Sequence, residues 1–335
     1  MTDPAPRLAL GVDGGNTKTI AIIATTGGEV LGAGRAGGSD MYNAASEQAA
    51  LDAVNKAVRT ALTEAGAAPA DLAVGAFSMA GADWPEDVTL LREAFLAAAL
   101  GRDVWVVNDA IGALRAGTPD GVGVGITLGT GIAIGARNSA GDIWYSGHWP
   151  VAYGGAELGR AALRAVYEAE LGLGQPTELR DAALDCFGVT TVEEILYRCT
   201  ARGGGWNICT EAKLAPLLLD VAAAGDAVAL EIVQRAGTRD ADFAVHAARQ
   251  VRLDGAPFRL VLSGGVLRHP SRLLERAIRV RIETKALPAV TIVTNTPEPV
   301  VGALLLALDR LGCQSSRATL ARLEATLPGP DLFKT

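Results

Sequence analysis

The sequence predicts an α/β protein built from a duplicated domain, with a helical insertion in the second lobe. Three observations carry this reading. Strand-like and helix-like segments follow one another as β-β-β-α-β-α-β-α up to about Ala116, and the strand pattern restarts at Val122. Each copy opens on a hairpin rich in Gly and Thr, GVDGGNTKT from Gly11 to Thr19 and ITLGTGIA from Ile126 to Ala133. A chain of 335 residues also exceeds what one core usually fills, so two domains with a cleft between them are expected.

In the first copy, Leu8 to Val12, Ile20 to Ala24 and Val30 to Ala33 read as successive strands. A Gly-rich loop, Gly37-Gly38-Ser39-Asp40-Met41-Tyr42-Asn43, leads into a helix over residues 45–65, whose apolar positions recur at helical spacing. The strand Leu72 to Ser78, a helix from about Val88 to Ala99 and the strand Val104 to Val107 follow, the last ending at Asn108-Asp109 before a helix from Ala110 to Arg115. In the second copy, strands run to Ile126, across Ile132 to Ala136 and across Ile143 to Tyr145. The insertion spans about 156–253, with candidate helices at Leu158 to Leu171, Val192 to Cys199, Thr210 to Ala224 and Ala227 to Val251. Two β-α units close the fold, Arg259 to Leu262 with Ser271 to Val280, and Val290 to Thr294 with Pro299 to Leu311. The lobes are therefore expected at 1–116 and 117–312, and the Ser-, Pro- and Gly-containing residues 313–335 as a peripheral surface extension.

Bulk properties narrow the partners. The net charge is −7, with 30 Lys and Arg scattered among 37 acids, which argues against nucleic acid because a phosphate backbone needs a basic face. No stretch approaches the ~18 apolar residues of a membrane span, and no basic-then-apolar leader opens the sequence, so a cytoplasmic location is expected. Cys186, Cys199, Cys209 and Cys313 form no C-x-x-C pair and read as reduced thiols, not as a zinc ribbon or redox dithiol.

The chemistry concentrates in the turns. Backbone N–H groups of Gly14, Gly15, Asn16 and Thr17, and of Gly129, Thr130 and Gly131, can converge on an anion, with the Thr17 and Thr130 hydroxyls as further donors. Asp13 ends a strand among small residues, where it would either hold a hydrated Mg²⁺ or cap turn amides. Lys18 would either offset phosphate charge or point to solvent. Asp109 lies at a strand C-terminus, the side on which ligands bind in α/β sheets, and reads either as a general base or, with Asn108, as a helix cap. Ser78 and Gly81 mark another strand end on that side. Trp149 would either pack on a ligand or be buried, and His148 has no neighbours at metal-ligand spacing.

These residues resemble the actin, hexokinase and Hsp70 superfamily and, within it, the N-acetylglucosamine kinase and benzoyl-CoA-reductase-type ATPase family, over roughly Leu8 to Leu311. The resemblance implies two ribonuclease H-like, that is actin-like ATPase, domains. It assigns Asp13 to Thr17 to a first phosphate hairpin and Thr127, Gly129, Thr130 and Gly131 to a second. Leu262-Ser263-Gly264-Gly265-Val266-Leu267 is similar to the adenosine-binding turn, and Pro299-Val300-Val301-Gly302-Ala303 to the closing helix start. It implies ATP and Mg²⁺, Asp109 as the base, Asn43 on sugar hydroxyls, and Gly147-His148-Trp149 in place of a Gly-Trp-Gly segment near the sugar. The implied activity is transfer of the γ-phosphate to a hydroxyl of an amino sugar or hexose, N-acetylglucosamine-like, by a homodimer. An ATPase that activates a radical dehydratase or reductase, or a non-catalytic sugar sensor, is the alternative.

One segment departs from the family pattern. Where those kinases read Gly-Asp-Glu-Gly-Ser-Gly, this chain has Val151-Ala152-Tyr153-Gly154-Gly155-Ala156-Glu157-Leu158-Gly159, about three residues shorter and without the Asp. Glu157 either replaces that carboxylate or sits in a first helical turn, where the dipole favours it.

Overall fold

A computed structural model describes residues 7–202, 208–294, 296–313 and 315–334. The first lobe contains β1 (Leu8–Gly14), β2 (Thr19–Thr25), β3 (Val30–Ala36), α1 (Glu47–Ala65), β4 (Leu72–Met79), α2 (Pro85–Ala97), β5 (Asp103–Asn108) and α3 (Asp109–Gly117). The second contains β6 (Gly123–Leu128), β7 (Ile132–Arg137) and β8 (Ile143–Tyr145). Helices α4 (Gly155–Glu170), α5 (Leu179–Phe187), α6 (Val192–Thr200), α7 (Ile208–Ala212), α8 (Leu214–Ala223) and α9 (Ala227–Gln250) follow. It closes with β9 (Phe258–Ser263), α10 (Leu273–Glu283), β10 (Val290–Val293), α11 (Pro299–Arg310) and α12 (Arg317–Thr326).

The duplication is visible in the sheets. The first has the order β3-β2-β1-β4-β5 and the second, read the same way, β8-β7-β6-β9-β10. In each, the opening strand pairs antiparallel with the next and parallel with the fourth. Each sheet is therefore mixed and five-stranded, and its opening strand lies at the centre, where its C-terminal turn points into the space between the lobes.

Alternation along β1 explains the layering. Leu8, Leu10 and Val12 face one core with Val54, Val58, Phe77 and Phe95, while Ala9 faces another with Leu304, Leu305 and Leu308. Gly11 lies on that second face because a Cβ there would come within 2.4 Å of the Leu304 backbone nitrogen. Helix α11, which follows the last strand of the second lobe, thus covers the first sheet, whereas α3 packs against β6 and β7. The two helices cross where Gly302 meets the Gly112 carbonyl.

Local chemistry moves several boundaries. Pro85 at the first helical position and Asp87, which accepts from the N–H groups of Asp83 and Trp84, start α2 three residues before the expected Val88. The single helix expected over 210–224 is two, α7 and α8, because Pro216 has no N–H to give to Ala212. Helix α5 was not expected; its buried Leu179, Ala183 and Leu184 form a short apolar stripe that ends at the left-handed Gly188. The chain after Gly312 forms α12, which returns to the edge of the first sheet: Leu323 is buried and the Thr326 hydroxyl accepts from Val30 N–H at 2.9 Å. Among the described residues no helix is long and apolar enough to cross a membrane.

Candidate active site

A cleft of about 430 Å³ lies between the lobes, and most of the predicted site residues line it. From the first lobe come Asp13, Gly15, Asn16, Thr17, Lys18, Asn43, Gly81, Asn108 and Asp109. From the second come Thr127, Gly129, Thr130, Gly131, Gly147, His148 and Trp149. Four predicted residues stand behind this surface. Gly14 packs on Ser39 and Met79, and Ser78 is buried with its hydroxyl donating to the Asp109 carbonyl at 3.3 Å. Gly264 has φ +101° and lies against the Leu128 backbone, so with Gly265 it supports the second hairpin from outside the cleft lining.

Both hairpins are held by their neighbours. The Gly15 carbonyl accepts from Ser39 N–H at 2.9 Å, and the Thr19 hydroxyl donates to the Gly37 carbonyl at 2.7 Å. In the second hairpin, Gly129 and Thr130 carbonyls accept from the first amides of α4, Gly155 at 3.0 Å and Ala156 at 2.8 Å. The Gly15 and Gly129 N–H groups close their own turns on the Lys18 and Gly131 carbonyls at 2.9 and 3.0 Å, so amides offered to the cleft come from the other residues of each turn. Asn16 Oδ1 and Thr127 Oγ1 are buried without hydrogen-bond partners, which is costly unless a ligand or water completes them. A phosphate chain with a hydrated divalent cation fits that donor set, with Asp13 as the carboxylate nearest the first hairpin.

Asp109 begins α3, capped by Asn108, whose Oδ1 accepts from Ala110 N–H at 3.2 Å. The cap and the cleft-facing carboxylate are therefore neighbouring residues with separate tasks. Burial chiefly, then the negative charges of Asp13, Asp83 and Asp40, pushes the Asp109 carboxyl up to about 8. Burial likewise pushes Asp13 up to about 7, against the opposing pull of Lys18. Lys18 reaches the cleft edge, and its Nζ donates to the Phe333 carbonyl near the chain's C-terminal end.

A second cluster of cleft side chains joins the lobes. Asp83 accepts from Asn108 Nδ2 at 2.9 Å and faces His148 Nε2 at 3.3 Å. His148 also meets the edge of Tyr42, with ring centroids 4.5 Å apart. Asp40 orders the loop before Asn43 by accepting from Tyr42 N–H and from Asn43 Nδ2, each at 2.9 Å. Trp149 is 67% exposed, which rules out the buried role. Glu157 accepts from Gly154 N–H at 2.9 Å and pairs with Arg160 at 3.1 Å, the geometry of a capping carboxylate in a first helical turn. Asp40, Asp83, Ser146 and Arg160 line the cleft and were not singled out from sequence. Asp83 had a readable signal, a carboxylate in the turn after a strand that ends on the ligand side. Cys186, Cys199 and Cys313 are free thiols outside the cleft lining; the side chain of Cys209 lies outside the described residues.

The model of the BadF/BadG/BcrA/BcrD ATPase family matches residues 10–307, a span that includes both sheets and the helices between them. The chain belongs to that family. Membership of the BadF/BadG/BcrA/BcrD ATPases implies ATP use. This member is 28% identical over 316 residues to the N-acetyl-D-glucosamine kinase of Dictyostelium discoideum, covering 90% of this chain and 97% of that protein. It is 25% identical over 309 residues to the N-acetylmuramic acid/N-acetylglucosamine kinase of Clostridium acetobutylicum, covering 90% and 98%. Its fold is similar to that of a candidate N-acetylglucosamine kinase from Chromobacterium violaceum, with a TM-score of 0.69, 24% identity, and 91% and 100% of the two chains covered. A ROK family glucokinase from Streptomyces griseus, solved with glucose and AMPPNP, shares the fold at a TM-score of 0.56 and 18% identity, with 90% and 99% covered.

Proposed function

We propose that this chain is an ATP- and Mg²⁺-dependent kinase that phosphorylates a hydroxyl of an amino sugar, with Asp109 as general base. The observation that carries the proposal is the meeting of Asp109, both Gly/Thr hairpins and the Asn43, Asp83 and His148 loops in one cleft. Phosphoryl transfer needs its groups placed and their charge offset more than it needs covalent help from the protein.

In this reading the hairpin amides and the Thr17 and Thr130 hydroxyls hold the phosphates, and Asp13 holds the hydrated Mg²⁺ that neutralises their charge. Asn43, Asp83 and Asn108 orient the acceptor. Asp109 takes the proton from its hydroxyl as the γ-phosphate is attacked, a role suited to a carboxyl whose burial brings it near neutral pH. The names of the two curated relatives favour an N-acetylated hexosamine as acceptor.

ADP release with Mg-ATP across a panel of sugars, run beside Asp109→Asn, tests this. Turnover should depend on one class of amino sugar and fall about 10²–10⁴-fold in the variant, the usual contribution of a positioned base. Hydrolysis that proceeds equally with every sugar and with none would sink the proposal.

A further inference from the structure

Successive amides from Tyr153 to Ala156 all have partners, and the partners come in two kinds. The N–H groups of Gly155 and Ala156 donate to the Gly129 and Thr130 carbonyls of the second hairpin at 3.0 and 2.8 Å. Those of Tyr153 and Gly154 donate to carboxyls, Asp240 Oδ1 at 2.8 Å and Glu157 Oε2 at 2.9 Å. Contact with the hairpin is also close, since a Cβ on Gly154 would come within 2.5 Å of the Gly131 carbonyl carbon. Residues 153–156 therefore form a strap that lies on the hairpin and is tied at its leading end to a side chain of α9.

Asp240 is a costly residue for its place. It is fully buried on α9, one turn from the buried Ala236 and Ala244, and its Oδ2 has no hydrogen-bond partner. Such an atom lowers stability, so packing does not account for a carboxyl there. Burial chiefly holds the group well above the ordinary carboxylate range, which favours a neutral acid whose carbonyl oxygen accepts from Tyr153. Asp240 does not line the cleft, so any effect on a ligand passes through the strap.

We propose that Asp240 is a positioning residue for the nucleotide: by accepting from Tyr153 N–H it fixes the strap, and the strap holds the Gly129–Gly131 turn in the shape that receives phosphate. This rests on the kinase reading, which assigns that turn to the phosphates, and adds to it a residue outside the cleft. A turn with glycine on both sides of Thr130 has many backbone conformations open to it, and an anion site needs one.

Asp240→Ala removes the acceptor, whereas Asp240→Asn keeps an oxygen in its place without charge. Val233→Ala, a core substitution on the same helix that leaves the strap alone, controls for lost stability. Binding of Mg-AMPPNP to the wild type and the three variants is titrated by calorimetry, with melting temperatures measured alongside. Asp240→Ala should bind about tenfold more weakly, the worth of one hydrogen bond, while Asp240→Asn and Val233→Ala stay within about twofold of the wild type. Wild-type affinity in Asp240→Ala, or a loss as large in Asp240→Asn or Val233→Ala, would overturn the inference and leave the kinase reading intact. A wild type that binds no nucleotide would instead overturn the kinase reading and the inference with it.

Discussion

The side-chain amide of Asn108 ties two elements together: its nitrogen donates to Asp83 at 2.9 Å while its oxygen accepts from the amide that starts α3. One residue thus fixes both the Asp83 carboxylate and the helix end that carries Asp109. Asn108→Ala is expected to cost about 1 kcal/mol through the lost cap, and to lower kcat more than the stability change explains. Chemical denaturation beside steady-state kinetics measures both. A kcat within error of wild type would show that the tie is structural only.

The second prediction follows from the carboxylates around Asp109. Only the deprotonated form can accept a proton, and burial with its acidic neighbours raises that group to about 8. On that basis kcat/KM for the sugar should climb with pH and level off above the apparent pKa. Asp83→Asn removes one of the negative charges responsible and should move the rising limb to lower pH. A limb that stays in place would assign the titration to another group.

Asp109 also ties stability to pH. Its folded-state pKa lies above the unfolded value, so the associated stability is complete below about 4, the unfolded carboxylate range, and is lost as pH rises through about 8. Asp109→Asn should therefore melt with the wild type in acid and higher than it above pH ~8.5, by about 2 °C for each kcal/mol relieved. Paired melting curves across this range decide the matter.

The crossing of α3 and α11 tolerates no side chain. A Cβ on Gly302 would lie 1.8 Å from the Gly112 carbonyl oxygen, and nothing flexible is there to yield. Gly302→Ala should destabilise by about 3 kcal/mol through overpacking, measured as a fall in the urea midpoint. An unchanged midpoint would mean that the helices separate easily.

The same crossing is braced by Arg115 on α3, only 2% exposed, which binds Asp309 on α11 through two nitrogens at 2.7 and 3.1 Å. Asp309→Ala leaves that guanidinium with the Thr118 carbonyl and the Ser315 hydroxyl as partners. A loss of about 3 kcal/mol is expected, and Arg115→Met with Asp309→Leu should recover part of it.

The strands and both hairpins were legible because each turns on local signals, an apolar run ended by glycines. That the two sheets would be copies of one unit followed from the repeat, while their strand order came from the structure. Asp83 carried a local signal in its place after a strand end, whereas Arg160 was harder to see, since it is set by Glu157 on its own helix and Glu211 on another. The break at Lys213 was readable from Pro216, whereas the return of α12 to β3 depends on a contact between residues 296 positions apart, Val30 and Thr326. The tasks of Asn108 and Asp109 look interchangeable in sequence and separate only when the cap's hydrogen bonds are placed.

Because α3 leans on the second sheet and α11 on the first, each lobe holds a helix that its partner's half of the chain supplies. The carbonyl of Gly112 against the bare Cα of Gly302 brings the two backbones into direct contact, and the Arg115–Asp309 pair clasps the same two helices. Rotation of one lobe against the other would have to be carried at that clasped crossing, on the same helix that begins with Asp109.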